Sequence, residues 1–452
     1  AHRNMNTPDP ARGSEVFDLD RKHVFHSWSA QGQISPLPIA GGQGSYCWDF
    51  DGKKYLDFSS QLVFTNIGFQ HPRVVKAIAD QAEILTTIAP QHANEARGKA
   101  AKKITNHTEA SLNKVFFTNG GADAVENAIR MARIHTGRHK VLSTYRSYHG
   151  NTGAAIAATG DPRRWPNEFS FGHIHFFGPY LYRSPFWSTS EEQETERALA
   201  HLEQVIIFEG PNTIAAIILE SVVGTNGILV PPPGYLAGVR ALCDKYGILW
   251  IADEVMAGFG RTGAWFAYQH WSAVPDLIVF AKGVNSGYVP LGGVIISDQV
   301  AATFDQRVFP GGLTYSGHPL ACASAVAAIE VMEDEKVIEH ARDIGETVIG
   351  PALTELANKH KLIGDIRGMG VFWGMDLVTD RESRAPLAPY GSLSPAMNEL
   401  VAACRKRGLL PFVHFNRMHI VPPCNVSAAE IAEGIAIIDE GLTEISHYYT
   451  GV

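Results

Sequence analysis

Four short runs, residues 115–118, 215–219, 249–252 and 277–280, are apolar almost throughout instead of alternating with polar residues. An uninterrupted apolar run suits a strand covered on both faces, whereas alternation suits a strand with one wet face. Helix-like stretches separate the runs, and that order predicts an α/β chain with a mainly parallel central sheet covered by helices. The 452 residues leave room for more than one domain, and 45% hydrophobic with 19% charged residues is ordinary for a globular protein. The expected division is a large domain over 76–330 and a smaller α+β domain from 1–75 and 331–452.

Each end of the chain supports that division. Near the start, residues 45–48 and 55–58 read as a hairpin around Asp51-Gly52, a pair that favours a type I′ turn. Val74, Val75, Ala77 and Ile78 begin a helical pattern. Toward the end, residues 370–375 read as a strand. Ser427 and Glu430 form a capping box ahead of a helix whose face is Ile431, Ile435, Ile438, Leu442 and Ile445.

Charge and cysteine content narrow the function. The formal charge of −8, from 38 basic and 46 acidic residues without a basic run, argues against nucleic acid or an anionic membrane as partner. The five cysteines, Cys47, Cys243, Cys322, Cys404 and Cys424, are scattered and form neither a disulfide framework nor a zinc site. His173 and His175 alternate as strand residues do and are read as structural, so no metal is expected. With no long apolar span and no apolar core in residues 1–5, the expectation is a cytoplasmic enzyme.

Three elements carry chemistry. Lys282 directly follows the run 277–280, a position where burial lowers a lysine's pKa and frees the amine to condense with an aldehyde. Asp253 ends the run 249–252, which places a carboxylate at the C-terminal edge of the sheet, where open α/β folds bind ligands. Thr118-Asn119-Gly120-Gly121-Ala122 joins a strand to a helix, so backbone N–H groups and the helix dipole form an anion cradle, without the Lys-Ser/Thr of a Walker loop. A phosphate cradle, a carboxylate and a reactive lysine together are what pyridoxal 5′-phosphate requires.

Further motifs occur in a fixed order. They are Ser147-Tyr148-His149-Gly150, Glu220 in Glu-x-Val-x-Gly, Asp253-Glu254-Val255, Gly258-Phe259-Gly260-Arg261-Thr262-Gly263, Ala281-Lys282-Gly283 and Thr314-Tyr315-Ser316-Gly317-His318-Pro319. In these the chain resembles the class III (ω-amino acid) aminotransferases of fold type I over nearly its whole length. The resemblance implies that Lys282 is the Schiff-base lysine and proton carrier, and that Asp253 partners the pyridine nitrogen. It places Val255 and Tyr148 on the two ring faces, His149 beside them as a structural member of the site, and Glu220 as an orienting acid. Gly120, Gly121 and Ala122 would meet the phosphate, and Thr314 would reach it from a neighbouring subunit, which implies a homodimer.

The departures from that pattern concern substrate. Phe412 stands where relatives carry a mobile carboxylate-binding arginine, and Arg417 or His414 is the expected replacement. Leu62 and Val63, with Phe64, stand where several relatives have a pocket tryptophan. The implied activity is transfer of an amino group from a primary amine or ω-amino acid to pyruvate or 2-oxoglutarate by a ping-pong cycle. A lyase of the same fold, acting on an amino-alcohol phosphate, is the alternative.

Overall fold

The computed structural model describes residues 7–452 of the chain. Residues 1–5, read above for a leader segment, lie outside that range. The central sheet has seven strands in the spatial order Leu112–Thr118, Gly292–Ser297, Leu277–Phe280, Leu249–Asp253, Ile214–Glu220, Lys140–Thr144 and His173–Phe176. Only Gly292–Ser297 runs antiparallel to its neighbours; the other pairings are parallel. Its two antiparallel pairings cancel, so Thr118 ends on the same sheet edge as Phe280, Asp253, Glu220 and Thr144. Leu249–Asp253 and Leu277–Phe280 are buried at every position, as their unbroken apolar runs predict.

Two smaller antiparallel assemblies flank this sheet. In one, Ile39–Gln43, Tyr46–Asp49 and Lys54–Asp57 are extended by Leu409–Leu410, which pairs in parallel with Leu56 and Asp57. In the other, Ile363–Met369, Phe372–Asp380, Arg417–Ile420 and Phe412–His414 follow one another. The closing helix Ala428–Glu444 carries the expected Ser427/Glu430 capping box, and Ile431, Ile438 and Leu442 are fully buried.

Two local expectations are corrected. The Asp51-Gly52 turn is not type I′: only Gly52 has positive φ, at 87°, and its N–H bonds the Asp49 carbonyl in a type I turn completed by one left-handed residue. Residues 370–375 are not one strand, because Gly370 at φ 58° turns the chain between Ile363–Met369 and Phe372–Asp380. In both places a glycine accepted the left-handed conformation that a branched residue resists. Of the two strand histidines, His175 meets the Thr159 carbonyl at 3.0 Å, and burial pulls His173 down to about 4.

Candidate active site

The shared strand edge opens into a cleft of about 980 Å³. Lys282 heads a short 3-10 turn just past Leu277–Phe280, with a positive φ of 49° that costs about 1 kcal/mol or more. Close packing imposes it. A Cβ on Gly283 would lie 2.2 Å from Asn66 Nδ2, and one on Gly287 would lie 2.4 Å from the Phe64 ring, so these glycines let residues 60–66 sit directly on the lysine turn. Lys282 Nζ donates to the Leu62 carbonyl at 2.6 Å. The residue lines the cleft, and desolvation lowers its pKa from 10.5 to about 8, against the pull of Asp253 and with help from the Arg163 charge.

Asp253 lies beside Glu220 in register across neighbouring strands. One of its carboxylate oxygens accepts the Val255 N–H at 3.0 Å, and the other meets His149 Nδ1 at 2.8 Å. Burial opposes charge on His149, but the hydrogen bond and negative charge of Asp253 outweigh it and hold that imidazole's pKa above the usual value. Burial also raises Glu220 to about 7; its oxygens accept the Tyr148 and Gly224 N–H groups at 3.2 and 3.1 Å.

The helix Gly121–Thr136 points its N-terminus into the same cleft, with Gly120 as N-cap. Its first-turn N–H groups have no intrahelical acceptor, and the dipole adds positive potential there. Gly121 sits against Val255, since a Cβ on it would come within 3.0 Å of Val255 Cγ1. Gly150, at φ +124°, abuts Ala122, where a Cβ would lie 2.5 Å away. An anion cradle, the ring-sized space beside Val255 and Tyr148, a buried carboxylate and a deprotonable lysine therefore fit pyridoxal 5′-phosphate.

The opposite wall rests on a strained loop. Ser60, Gln61 and Val63 all have positive φ, between 46° and 65°. Fully buried Asp57 holds the bend by accepting the Ser59 N–H at 2.9 Å and the Gln61 N–H and Nε2 at 3.1 and 2.8 Å. Arg261, fully buried, braces it from beneath with bonds to Ser60 Oγ, Asn66 Oδ1 and the carbonyls of Val371 and Pro422.

Of the residues singled out in the sequence, Gly120, Gly121, Ala122, Tyr148, His149, Glu220, Asp253, Val255, Lys282, Leu62, Phe412 and His414 all line this one cleft. Three do not. Val63 is turned into the core by its positive φ and is 1% exposed. Arg417, 3% exposed, is behind the wall, paired across strands with Asp376 and donating to the Thr225 carbonyl at 3.2 Å, so it is not a cleft residue. Thr314 is exposed and away from this chain's own cleft. Sequence reasoning missed Trp28, Gln61 and Arg163 in the lining. The Arg163 guanidinium stands 3.6 Å over the Tyr148 ring centroid, and Trp28 meets the same ring edge-on at 6.4 Å. Asp161-Pro162-Arg163 was legible as a capped turn, but nothing in it indicates which cavity the arginine reaches.

Comparison with known proteins agrees with this geometry. The family model described as Aminotransferase class-III matches residues 28–442. A taurine–pyruvate aminotransferase of Bilophila wadsworthia is 32% identical, with 96% of this chain and 98% of the relative covered. A 5-aminovalerate aminotransferase of Pseudomonas aeruginosa is 32% identical over 92% of this chain and 95% of the relative. The crystal structure of a taurine:2-oxoglutarate aminotransferase from Bifidobacterium kashiwanohense, in complex with PLP and glutamate, superposes with a TM-score of 0.93 at 42% identity, covering 96% of this chain and 98% of that one.

Proposed function

The chain belongs to the class-III aminotransferase family, of fold type I, and is a pyridoxal-phosphate-dependent transaminase; from that premise we propose that it takes the amino group of an ω-amino acid or aminosulfonate and delivers it to pyruvate or 2-oxoglutarate. The convergence of Lys282 with the Asp253–His149 pair at one sheet edge carries this reading. Taurine and 5-aminovalerate, named for the relatives, are the donor types it favours.

Pyridoxal phosphate, when bound, supplies an aldehyde that a primary amine can join and a pyridine ring that draws electrons from the adjoining carbon. Lys282 is the residue that would hold that aldehyde. Desolvation lowers its pKa toward about 8, so more of its amine is unprotonated near neutral pH than for an ordinary lysine, which suits it to lift the proton from the donor's amine-bearing carbon. Asp253 would hold the ring nitrogen and keep it protonated, with His149 fixing the carboxylate's orientation. Tyr148 and Val255 would cover the two ring faces, and the Gly120–Ala122 backbone would hold the phosphate. Glu220 steadies the Tyr148 backbone.

Thr314 would reach the active site of a second copy in a homodimer, a reading supported by its exposure on its own chain. The Leu409–Leu410 pairing with Lys54–Asp57 supports one smaller domain from 1–75 and 331–452 beside a cofactor domain of 76–330. Five buried, unbridged cysteines support a reducing, cytoplasmic setting; among the described residues, no helix is long and apolar enough to cross a membrane.

The deciding experiment adds donor amines to the loaded enzyme without keto acid and follows the visible spectrum. Conversion of the cofactor to its amine form, reversed by pyruvate or 2-oxoglutarate, is expected. Product release with the starting spectrum regained would indicate elimination instead, and no response to any amine would overturn the donor assignment.

A further inference from the structure

A second cavity, of about 320 Å³, adjoins the cofactor cleft, and Glu220 is the one residue that the two linings share. Its walls come from the ends of Lys140–Thr144 and Ile214–Glu220, from the segment 177–185 and from the start of the helix Tyr235–Tyr246. Phe177, Pro179, Leu219, Leu229, Pro231 and Leu236 make most of its surface apolar. Three of its rings, Tyr145, Phe177 and Tyr390, are 40%, 47% and 48% exposed, so the cavity opens to solvent beside them. An apolar body of this size with a few polar groups is the usual form of a small-molecule site.

Two of the polar groups are without a partner. The Arg146 guanidinium stands over the Tyr180 ring at 4.9 Å and the Tyr390 ring at 5.7 Å, and among the described residues it has neither a hydrogen bond nor an ion pair. Arg183, the other cation of the lining, is already engaged by Asp376 at 2.7 Å and by the Arg384 carbonyl at 2.7 Å. Aromatic rings hold a guanidinium by its face and leave its N–H edge free, and that edge matches a carboxylate. The second group is the Tyr235 hydroxyl: the residue is 3% exposed, and the oxygen has no partner among the described residues. Burial pushes its pKa up, so it stays an O–H group. A buried hydroxyl left unpaired is destabilising, and a ligand atom that reaches it removes that cost.

We propose that this cavity is an effector site for a small aromatic carboxylate bearing a hydroxyl: Arg146 binds the carboxylate, the apolar walls take the ring, and Tyr235 pairs with the hydroxyl. Glu220 links the two cavities, because its oxygens accept the Tyr148 and Gly224 N–H groups. An occupant of the second cavity therefore lies against the carboxylate that steadies Tyr148 in the first. The binding stands apart from the transaminase reading, whereas the effect on rate rests on it.

The test titrates the holoenzyme by calorimetry with para-hydroxyphenylacetate, phenylacetate and the uncharged phenylacetamide, and then follows the donor half-reaction with and without the best binder. Phenylacetamide is expected to bind about tenfold or more weakly than phenylacetate. Arg146→Gln should raise the Kd of both carboxylates by about 10- to 100-fold, the worth of one or two charge-assisted hydrogen bonds, and Arg146→Lys should recover part of that. Tyr235→Phe should raise the Kd of para-hydroxyphenylacetate by roughly 2- to 10-fold and leave phenylacetate within about twofold, which keeps the proposal testable if Arg146→Gln does not fold. At saturating donor, the bound carboxylate should change the half-reaction rate by about twofold or more, and Arg146→Gln should remove that effect.

Binding that is unchanged in both the Arg146→Gln and Tyr235→Phe proteins would overturn the proposal, as would no binding of any probe or equal binding of acid and amide. A rate effect that saturating donor relieves completely would place the probe in the cofactor cleft and overturn it too, and binding without any rate effect would overturn the effector role. A holoenzyme that binds the probes as expected but converts no donor would count against the transaminase reading instead.

Discussion

The wall of the cleft that carries Lys282, Asp253 and Glu220 is built on strand ends whose spacing the sheet dictates, whereas the facing wall comes from loop 59–64, the Pro411–His414 stretch, Trp28 and Arg163. The first wall is rigid because fully buried parallel strands set it: Glu220 and Asp253 are register partners, and Asp253 also pairs with Val279, three residues before Lys282. The second, apart from the strand Phe412–His414, is made of irregular segments held by one-off polar contacts, such as Asp57 under Ser59 and Gln61 and Arg261 under Ser60 and Asn66. The difference teaches where chemistry and selectivity reside. Chemistry needs groups whose separation does not vary; selectivity is altered by exchanging loop side chains above them.

Three measurements bear on that contrast beyond those already set out. The largest effect is expected from Lys282→Ala, which should lower kcat by about 10³-fold or more with every donor, since both cofactor attachment and proton transfer depend on the amine. A variant near the wild-type rate would end the claim that chemistry resides on the strand-end wall. Next, Asp253→Asn should reduce kcat by roughly 10²-fold while cofactor remains bound, because the amide keeps the shape and loses the charge. If instead cofactor is lost and the remaining loaded enzyme turns over normally, the carboxylate serves binding alone.

The smallest effect probes the seam between the walls, where Lys282 Nζ touches the Leu62 carbonyl. In cofactor-free protein the folded pKa of Lys282 is about 8 against an ordinary 10.5. Below about pH 8 both states are protonated and the folded state bears the full cost of the buried charge; between about 8 and 10.5 the unfolded state holds more protons, so stability rises with pH. Lys282→Met should therefore raise the melting temperature of the cofactor-free protein at neutral pH, by an amount that shrinks toward pH 10.5. A gain that stays constant across that range would mean the lysine is not desolvated in the empty cleft.

Much of the first wall was legible from residue order. An apolar run that ends in an acid, a run followed by lysine, and a run followed by two glycines and a helix pattern each describe a strand end, and strand ends of a parallel sheet share an edge. The partnership of His149 with Asp253 was not legible, because 104 residues separate them and only the sheet brings them to 2.8 Å. The second wall was read less well. Leu62, Phe412 and His414 do line the cleft, whereas Val63 and Arg417, assigned to the same surface, are turned away by a positive φ and a strand pairing. Arg261 was quoted for its motif without a task, since its acceptors at Ser60, Asn66, Val371 and Pro422 come from three distant segments.

What the sequence alone determined is the architecture and the placing of a lysine, an acid and a glycine turn at strand ends, because both follow from local patterns, starting with apolar runs that demand two-sided burial. What only the tertiary structure decided is which cations face the cleft. Arg163 and Arg417 are equally charged in the sequence, but Arg163, paired with Asp161 and lying over the Tyr148 ring, lines the cleft, while the strand pairing with Asp376 holds Arg417 behind it. A side chain's direction depends on backbone and partners brought together from afar, and no local pattern encodes that.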